Sequence, residues 1–421
     1  MKANQRASKP DSPYAWARLA AALALLTLGG AGMYALVVAL PPVQAEFHAT
    51  RADASLPYAL TMIGFGVGGV LMGRLGDRFG VVVPALAGSI SLGLGFIAAG
   101  HAQDLLQFNL AQGLLIGFLG TSGTFAPLVA DIAHWFERRR GVAVAIVMSG
   151  NYFAGMLWPP VLQYFFELIG WRETFTAVGI FCIAAMLPLT LILRRKLPSW
   201  EVFHGESFSR EENQTPLGVN PHRLQILLCI AGLACCVAMS MPQVHMVAYC
   251  GDLGYAAARG AEMLSLMFGA GIVSRFAFGW IADHVGPLRT LLLGAALQAV
   301  ALALFLPFDG LVALYVVSAL FGLFQGGLVP TYPLIVRAFF PPRESGVRTG
   351  TVLMATLFGM ALGGWMPGWI FDLTGSYRAA FVNGIAWNLV TTGIAMFLVL
   401  RARRMPASAP RYSGAAAPPA A

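Results

Sequence analysis

The sequence predicts an all-α membrane protein with twelve transmembrane helices in two six-helix, pseudo-symmetric halves. Of its 421 residues, 57% are hydrophobic and only 11% are charged, with a mean hydropathy of +0.70. A soluble globule of this composition would lack the polar surface needed to cover itself. One charged motif also occurs twice, as Gly73-Arg-Leu-Gly-Asp-Arg-Phe-Gly80 and Gly279-Trp-Ile-Ala-Asp-His-Val-Gly286. Together these observations predict a duplicated protein that spans a bilayer.

Twelve runs of mostly apolar residues are long enough to cross a membrane. A helix needs about 20 such residues to span a hydrocarbon core of roughly 30 Å. The predicted spans cover residues 16–40, 55–73, 81–100, 105–130, 141–166, 173–193, 224–249, 261–281, 288–307, 311–336, 347–371 and 378–400. The first run is too long for a cleaved signal peptide, so we expect it to remain as the first helix.

Polar stretches and an internal repeat divide the chain. We expect an N-terminal tail at 1–15, a six-helix half at 16–193, a linker at 194–223, a second half at 224–400 and a disordered tail at 401–421. Asp77 and Asp283 of the repeated motif are 206 residues apart, as are Trp171 and Tyr377. Two landmarks therefore share one offset. A parallel repeat of this kind places the substrate between the halves, near the bilayer midplane.

The positions of the basic residues predict the orientation. Most of the 27 Lys and Arg residues fall on the side of the N-terminus, and the exceptions are Arg51, Arg172, Arg259 and Arg378 on the other side and Arg275 within a span. Because Lys and Arg beside spans stay in the cytoplasm, both termini are predicted to be cytoplasmic in the cell inner (plasma) membrane. The net charge of +8 thus reflects topology, and we expect no nucleic-acid partner.

The motifs offer no support for enzymatic chemistry. The sequence has no Walker loop, zinc-binding His-Glu pair or nucleophile elbow. Its cysteines lack metal-ligand spacing and lie in or beside the predicted spans, at Cys182, Cys229, Cys235, Cys236 and Cys250. We therefore expect no metal, no cofactor and no enzyme. The expected partners are a small organic anion, a coupled proton and the lipid bilayer, and the chain is expected to be a monomer.

The segment from Gly73 to Gly80 resembles the loop between spans two and three of the major facilitator superfamily. Its glycines permit a turn, Asp77 can face a helix N-terminus, and Arg78 can pair with an acid such as Asp131 or Glu137. Such contacts form when the cytoplasmic ends are drawn together, so the segment is interpreted as a latch on the outward-open state. The alternative is that the charged turn only fixes topology.

The second copy of the motif is degenerate. It keeps Asp283 and Gly286, but Ala282 and His284 replace the glycine and arginine of the first copy. We therefore expect the first copy to hold the gate more strongly than the second.

Other segments resemble the monocarboxylate-transporter-like branch of that superfamily. They are Trp135-Phe136-Glu-Arg138-Arg139-Arg140-Gly141, Pro242-Gln-Val-His245 with the following Asp252-Leu-Gly254, Arg275, and Gly322-Leu-Phe-Gln-Gly326-Gly327-Leu-Val-Pro330. The last is also similar to the oxalate:formate exchangers. The resemblance covers roughly residues 16–400 and implies secondary transport by alternating access, driven by an ion or substrate gradient.

The chain departs from this branch at two positions. Animal members carry an acidic signature in span one, where this sequence reads Gly29-Gly-Ala-Gly-Met33-Tyr34. They also carry an acid one turn before the span-eight arginine, where this sequence has Gly271. Proton relay through that carboxylate is therefore not implied here.

Arg275 is the principal candidate for substrate binding. An unpaired arginine within the membrane costs about 2.5–3.5 kcal/mol on insertion scales, so it persists where water or an anionic ligand compensates. The repeat places Gly69 at the equivalent position, so the scaffold itself needs no cation there. We expect a bidentate clamp on a substrate carboxylate. The alternative is that Arg275 snorkels toward the membrane surface near Asp283.

Further polar residues within the spans complete the candidate site. His245 can exchange protons near neutral pH, or it is an interfacial histidine that faces headgroups. Amide and phenol groups in the middle of spans usually turn inward, and the candidates of this kind are Tyr34, Asn151, Tyr152, Gln325 and Tyr332.

Proline and glycine patterns bear on the movement of the helices. Pro159 and Pro160 are expected to kink the fifth span, either as a gating element or as a static bend. Glycines four residues apart predict close helix approach, which serves sliding contacts or tight packing, at Gly64/Gly68, Gly69/Gly73, Gly359/Gly363 and Gly364/Gly368.

The sequence thus predicts a secondary active transporter of a small organic anion, a monocarboxylate in particular, that works as a proton symporter. One intramembrane cation, Arg275, favours one carboxylate over two. The first alternative is an exporter of an apolar compound or a siderophore-like metabolite. The second is a membrane sensor that binds ligand without transporting it.

Overall fold

The computed structural model describes residues 11–136, 139–195 and 216–403. Within them, twelve helical segments are long and apolar enough to cross a membrane, which confirms the predicted all-α fold of a multi-pass membrane protein. Numbered as spans 1 to 12 in chain order, they are Pro13–Glu46, Arg51–Phe79, Val82–Gly100, Leu105–Trp135, Gly141–Ile169, Trp171–Ile192, Pro221–Asp252, Ala257–Val285, Pro287–Leu304, Leu311–Phe339, Glu344–Thr374 and Tyr377–Arg403.

Several spans extend beyond the predicted apolar runs. Span 1 begins at Pro13, where the Ser12 hydroxyl accepts a hydrogen bond of 3.3 Å from the backbone N–H of Ala15. Span 2 begins at Arg51, and the Thr50 hydroxyl accepts from the N–H of Asp53 at 3.1 Å. Polar N-caps of this kind satisfy the first N–H groups of a helix. With such a cap, a helix can begin before the apolar run from which it was predicted.

Most of the predicted linker and both predicted tails lie outside the described residues. Span 6 ends at Ile192, and span 7 begins at Pro221 after a short 3-10 turn at Pro216–Gly218. Residues 196–215 of the predicted linker are not among those described. The last helix runs through Arg403, so the first residues of the predicted C-terminal tail are helical.

Four spans are built from consecutive helical pieces. The pieces are Pro13–Gly29 and Ala31–Glu46 in span 1; Leu105–Leu110, the π-helix Ala111–Thr121 and Ala126–Trp135 in span 4; Arg140–Met148 and Gly150–Ile169 in span 5; and Leu311–Gln325 and Leu328–Phe339 in span 10. The helix in span 5 continues through Pro159 and Pro160. The two helices of this span meet at Ser149, which precedes the pair of prolines.

Both copies of the charged motif end a helix. Span 2 ends at Phe79 and span 8 at Val285, and each is followed by a glycine with positive φ, 85° at Gly80 and 88° at Gly286. A left-handed backbone of this kind is accessible to glycine without a steric penalty. Asp77 and Asp283 therefore belong to the last helical turns and not to the connecting loops in which the sequence placed them.

A buried ion pair closes the N-terminal half at the end of the bundle where span 1 begins and span 12 ends, here termed the terminal face. Arg18 is 2% exposed and binds both carboxylate oxygens of Asp131, at 2.6 and 2.8 Å. It also donates to the carbonyls of Leu193 and Arg195, at 2.9 and 3.1 Å, and lies over the ring of Trp135. One side chain thus joins spans 1, 4 and 6.

The two halves meet along spans 2 and 11. A Cβ placed on Gly368 would lie 2.7 Å from the carbonyl oxygen of Arg51, and one on Gly364 would lie 2.4 Å from the ring of Tyr58. Farther toward the terminal face, a Cβ on Gly66 would still lie 3.0 Å from the sulfur of Met354. These distances indicate close contact over the half of span 2 away from the terminal face.

Contact between the halves weakens toward the terminal face. Nothing lies within 4 Å of a Cβ placed on Gly69 or Gly73 in span 2, or on Gly350 in span 11. Spans 5 and 8 show the same change, because Gly155 in span 5 touches the ring of Phe268, whereas Gly279 in span 8 has open space around it. At these positions, therefore, the contacts between the halves lie toward the opposite face, which is the end of the bundle where span 1 ends and span 2 begins.

Candidate substrate site

A partly buried arginine lies where spans 5 and 8 of the two halves meet. Nη1 of Arg275 donates a 3.2 Å hydrogen bond to the carbonyl of Met148. Met148 ends the first helix of span 5, and the carbonyls of a last helical turn have no partner within their own helix. Nε of Arg275 is buried without a hydrogen-bond partner. No ion pair among the described residues includes this arginine, so its guanidinium has donors to spare.

The ring of Tyr152 lies against this guanidinium. The guanidinium carbon of Arg275 is 3.9 Å from the ring centre, a distance typical of a cation–π contact. The Tyr152 hydroxyl donates at 3.4 Å to the carbonyl of Gly326, in the break between the two helices of span 10. Breaks in spans 5 and 10 thus supply the carbonyls that orient the arginine and the tyrosine.

Aromatic rings from both halves line up beside Tyr152. Phe268 of span 8 packs edge-on against Tyr152 and Tyr34, with ring centres 5.6 and 4.7 Å apart. The Tyr34 hydroxyl reaches Oδ1 of Asn151 at 3.5 Å. Four of the predicted site residues, Arg275, Tyr152, Tyr34 and Asn151, therefore belong to one cluster. Phe268 completes it, although an apolar residue in an apolar span gives no signal in the sequence.

Two buried glutamines form a polar pair close by. Nε2 of Gln243 donates a 3.0 Å hydrogen bond to Oε1 of Gln325, and Nε2 of Gln325 is buried without a partner. Gln325 directly precedes Gly326, whose carbonyl binds Tyr152. Gln325 was predicted because it is an amide in the middle of a span. Gln243 meets the same criterion, so the sequence could have identified both residues.

Two predicted site residues lie apart from this cluster. Tyr332 is fully buried among apolar residues of the second half, with its hydroxyl unpartnered. His245 is 1% exposed and uses both ring nitrogens within its own half. Its Nε2 is 2.8 Å from the carbonyl of Gly364, and its Nδ1 is 2.8 Å from the hydroxyl of Tyr377. In this conformation the histidine braces span 7 against spans 11 and 12.

The predicted latch residues are solvent-exposed at the terminal face. Asp77, Arg78 and Asp283 are all exposed, and the guanidinium of Arg78 lies over the ring of its neighbour Phe79. Asp131, the predicted partner of Arg78, is instead bound by Arg18. Glu137, the other predicted partner, lies outside the described residues.

The opposite face carries a polar contact that the sequence did not reveal. Nη2 of Arg51 is 3.0 Å from Oδ1 of Asp252, which joins the start of span 2 to the end of span 7. The carboxylate of Asp372, near the end of span 11, accepts from the backbone N–H groups of Arg51 and Ala52 at 2.9 and 2.8 Å. The sequence predicts loop or span-end positions for Arg51, Asp252 and Asp372. It contains no signal that the residue of the first half contacts the two of the second.

The central cluster can bind an anion with an apolar body. The spare donors of Arg275 suit a carboxylate, because guanidinium groups bind carboxylates through two parallel hydrogen bonds. The rings of Tyr34, Tyr152 and Phe268 offer an apolar wall next to those donors. The groups come from spans 1, 5 and 8, so both halves contribute to the site.

Two similar six-helix halves with a polar site between them are the architecture of a membrane transport protein. The sequence profile described as Major Facilitator Superfamily matches residues 22–290 and again 226–420. The chain belongs to this superfamily.

Relatives of known name resemble the chain over most of its length. Monocarboxylate transporter 13 of Rattus norvegicus is 29% identical over 371 residues, which cover 84% of this chain and 81% of the relative. Monocarboxylate transporter 11 of Homo sapiens is 26% identical over 454 residues, with 99% and 88% covered. These similarities support the monocarboxylate-transporter-like branch.

Solved structures share the fold at lower sequence identity. A bacterial homolog of the human lysosomal transporter Spinster, in an inward-facing and occupied conformation, superposes with a TM-score of 0.74 at 16% identity and covers 94% of this chain and 98% of its own. A peptide transporter, POT, in complex with sulfate reaches 0.71 at 13% identity, with 92% and 94% covered. At these identities the likeness supports the fold.

Proposed function

We propose that this chain is a secondary active transporter of a small monocarboxylate, which it moves by alternating access in symport with a proton. The observation that carries the proposal is the guanidinium of Arg275, held between the halves by Met148 and Tyr152 and with donors to spare. The proposal includes a plasma (inner) membrane location with cytoplasmic termini, as the distribution of basic residues predicts.

The chemistry of the site favours one carboxylate on an apolar body. A single guanidinium neutralises a single carboxylate, and an unpaired arginine in a span otherwise costs about 2.5–3.5 kcal/mol on insertion scales. The neighbouring rings of Tyr34 and Phe268 can hold the rest of the substrate. The names of the relatives, monocarboxylate transporters 11 and 13, point to the same class of substrate.

The way the halves touch supports the proposal of alternating access. Contacts at the opposite face join Arg51 to Asp252 and Asp372, while the terminal-face parts of spans 2, 8 and 11 have free space at Gly69, Gly279 and Gly350. In the proposed cycle the halves rock about the central site, so that Arg275 meets the substrate from either side in turn. Asp77 and Arg78 then gain partners when the terminal face closes.

The coupled proton has two candidate carriers. Position 271 is glycine and offers no carboxylate beside Arg275. The ring nitrogens of His245 are both engaged in this conformation, so the histidine can serve as a carrier only if one of those bonds opens during the cycle. The remaining candidate is the carboxylate of the substrate itself.

Transport into proteoliposomes tests the proposal. Labelled propionate and benzoate are the probes, with an inward proton gradient imposed or absent, and propionamide and benzamide are the matched neutral compounds. We expect uptake of the acids, faster with the gradient, and loss of uptake in Arg275→Ala. Arg275→Lys keeps the charge but loses the bidentate geometry and should retain a small part of the rate. Arg259→Gln, at an exposed position of span 8, is the control.

Other outcomes favour the alternatives. Uptake of these acids that is unchanged in Arg275→Ala overturns the assignment of this arginine. Transport that tolerates this change and follows the hydrophobicity of the compound favours an exporter of apolar molecules. Ligand binding to purified protein without flux in proteoliposomes favours a sensor.

A further inference from the structure

The start of span 2 already binds two carboxylates. Arg51 is only 8% exposed, and its Nη2 binds the carboxylate of Asp252. The carboxylate of Asp372 binds the first backbone N–H groups of the same helix, at Arg51 and Ala52. A helix N-terminus beside a guanidinium is suited to anions because both carry positive charge. Both acids come from the second half of the chain, so the site is occupied by side chains of the other half.

This site has an unused donor and an open cavity. Nε of Arg51 is buried without a hydrogen-bond partner, and its guanidinium is held over the ring of Phe371 at 4.6 Å. A cavity of about 590 Å³ lies beside it between the two halves, lined by Arg51, Asp252, Gln44, Ala45 and His48 among others. A cavity of this size accommodates a small organic molecule. The side chain of Asp252 is 33% exposed, so it can leave the guanidinium for water at modest cost.

The internal repeat shows that the contact of Asp252 is unusual. The residue equivalent to Asp252 in the first half is Glu46, which binds Arg172 at 2.7 Å and Nε1 of Trp171 at 2.6 Å, all within one half. The counterpart of Arg172 is Arg378, yet Asp252 binds Arg51 of the other half instead. An arginine that could hold Asp252 in the manner of the first repeat is therefore present in the second.

We propose that the guanidinium of Arg51, at the start of span 2, forms an anion-capture site at the opposite face, where the carboxylate of an incoming substrate displaces Asp252. Asp252 is then free to bind Arg378, as Glu46 binds Arg172. Capture of the anion thus removes the ion pair that joins span 2 to span 7. The identity of the anion, a monocarboxylate, rests on the proposed function; the geometry of the site does not.

The two members of the ion pair have opposite roles in this assignment. Arg51 binds the anion, so its loss removes the site. Asp252 competes with the anion, so its loss strengthens binding. The alternative role of this ion pair is only to close the opposite face. In that case Arg51→Gln and Asp252→Asn break the same ion pair and should have the same effect.

Cysteine protection measures this site without transport. Ala45 is exposed and lines the cavity, so Ala45→Cys can be labelled with N-ethylmaleimide in purified protein. The background carries Arg275→Gln, which disables the central site, and a parallel sample without Ala45→Cys corrects for labelling of the native cysteines. Benzoate and propionate are the probes, and benzamide and propionamide are the neutral controls. The melting temperature of each variant establishes that it is folded.

We expect the acids to slow labelling and the amides not to do so. Arg51→Gln should abolish protection. Asp252→Asn should lower the half-protecting concentration about tenfold or more, because the anion no longer competes with a charged hydrogen bond between Asp252 and Arg51. Arg172→Gln, a change in the equivalent pair of the first half, should leave protection unchanged.

Any of three results overturns the capture site. The first is protection by benzoate that persists in folded Arg51→Gln, and the second is an equal change of protection in Arg51→Gln and Asp252→Asn. Protection by benzamide equal to that by benzoate also contradicts it, because a neutral amide lacks the charge that the site recognises. Since the background already lacks Arg275, these results are independent of whether Arg275 supports transport.

Discussion

The ring of Tyr152 occupies the space that the missing side chain of Gly271 leaves free. A Cβ placed on Gly271 would lie 2.3 Å from Cε1 of Tyr152, closer than real side chains approach. Gly271 lies one turn before Arg275, at the position where the family resemblance implies an acid. The ring of Tyr152 therefore occupies the place of a carboxylate at this position, and the guanidinium of Arg275 packs against that ring.

Replacement of Gly271 should weaken substrate binding through Tyr152. In Gly271→Ala the new methyl group pushes the ring away from Arg275, and cation–π contacts of this kind contribute about 0.5–2 kcal/mol. We expect the half-saturation concentration for uptake to rise severalfold. Gly279→Ala in the same helix has open space around it and is the matched control. Equal effects of the two changes would contradict the steric account.

Glycines one residue apart in span 2 should differ in their tolerance of a side chain. A Cβ on Gly68 would lie 2.0 Å from the carbonyl oxygen of Phe118 in span 4, whereas nothing lies within 4 Å of one on Gly69. Gly68→Ala should destabilise the protein by about 1–3 kcal/mol through overpacking. Gly69→Ala should be neutral or slightly stabilising, since alanine favours helix. Melting temperatures in detergent compare the two, and equal losses would refute the prediction.

Loss of the buried pair at the terminal face should be costly. Arg18→Gln leaves Asp131 without its cation and the carbonyls of Leu193 and Arg195 without a donor. Breaking a buried ion pair costs about 3–5 kcal/mol, and we expect a large fall in melting temperature or in yield. The control is Arg259→Gln, which breaks an exposed pair with Glu262 and should change the melting temperature little. A similar fall in both variants would count against a special role for Arg18.

His245 should affect stability more than the pH dependence of transport. His245→Asn removes or misplaces the bonds to the hydroxyl of Tyr377 and the carbonyl of Gly364. Each buried polar group left unpaired costs about 1–3 kcal/mol, so the melting temperature should fall. The midpoint of the pH profile of uptake should stay where it is in the wild type. A shifted midpoint with an unchanged melting temperature would instead assign the coupled proton to this histidine.

The sequence predicted the parts of the structure that depend on its own periodicity and composition. Twelve apolar runs located the spans, and a solitary arginine in a span identified the centre of the candidate site. The rule that mid-span polar groups turn inward selected Tyr34, Asn151 and Tyr152, and these three lie in one cluster with Arg275. Tyr332 satisfies the same rule but lies elsewhere, because the rule identifies inward-facing groups and not the cavity that they face.

The contacts between distant segments could not be predicted in this way. Gly69/Gly73 has the same spacing as Gly64/Gly68, yet a Cβ on Gly64 would lie 2.4 Å from the carbonyl oxygen of Gly113, while Gly69 has no such neighbour. Spacing shows that a helix can approach another, and the position of the partner helix decides whether it does. For the same reason, the sequence did not reveal that Arg18 binds Asp131 in this conformation.

The cluster around Arg18 also constrains the order in which the chain can assemble. Its partners Asp131 and Leu193 lie 113 and 175 residues later in the sequence, at the ends of spans 4 and 6. During synthesis Arg18 therefore lacks its carboxylate partner until the fourth span has emerged, and it lacks the carbonyl of Leu193 until the sixth has emerged. Every partner of Arg18 precedes span 7, so the first half can complete its own core before the second half exists. The nascent protein thus gains a finished surface against which the later helices can dock.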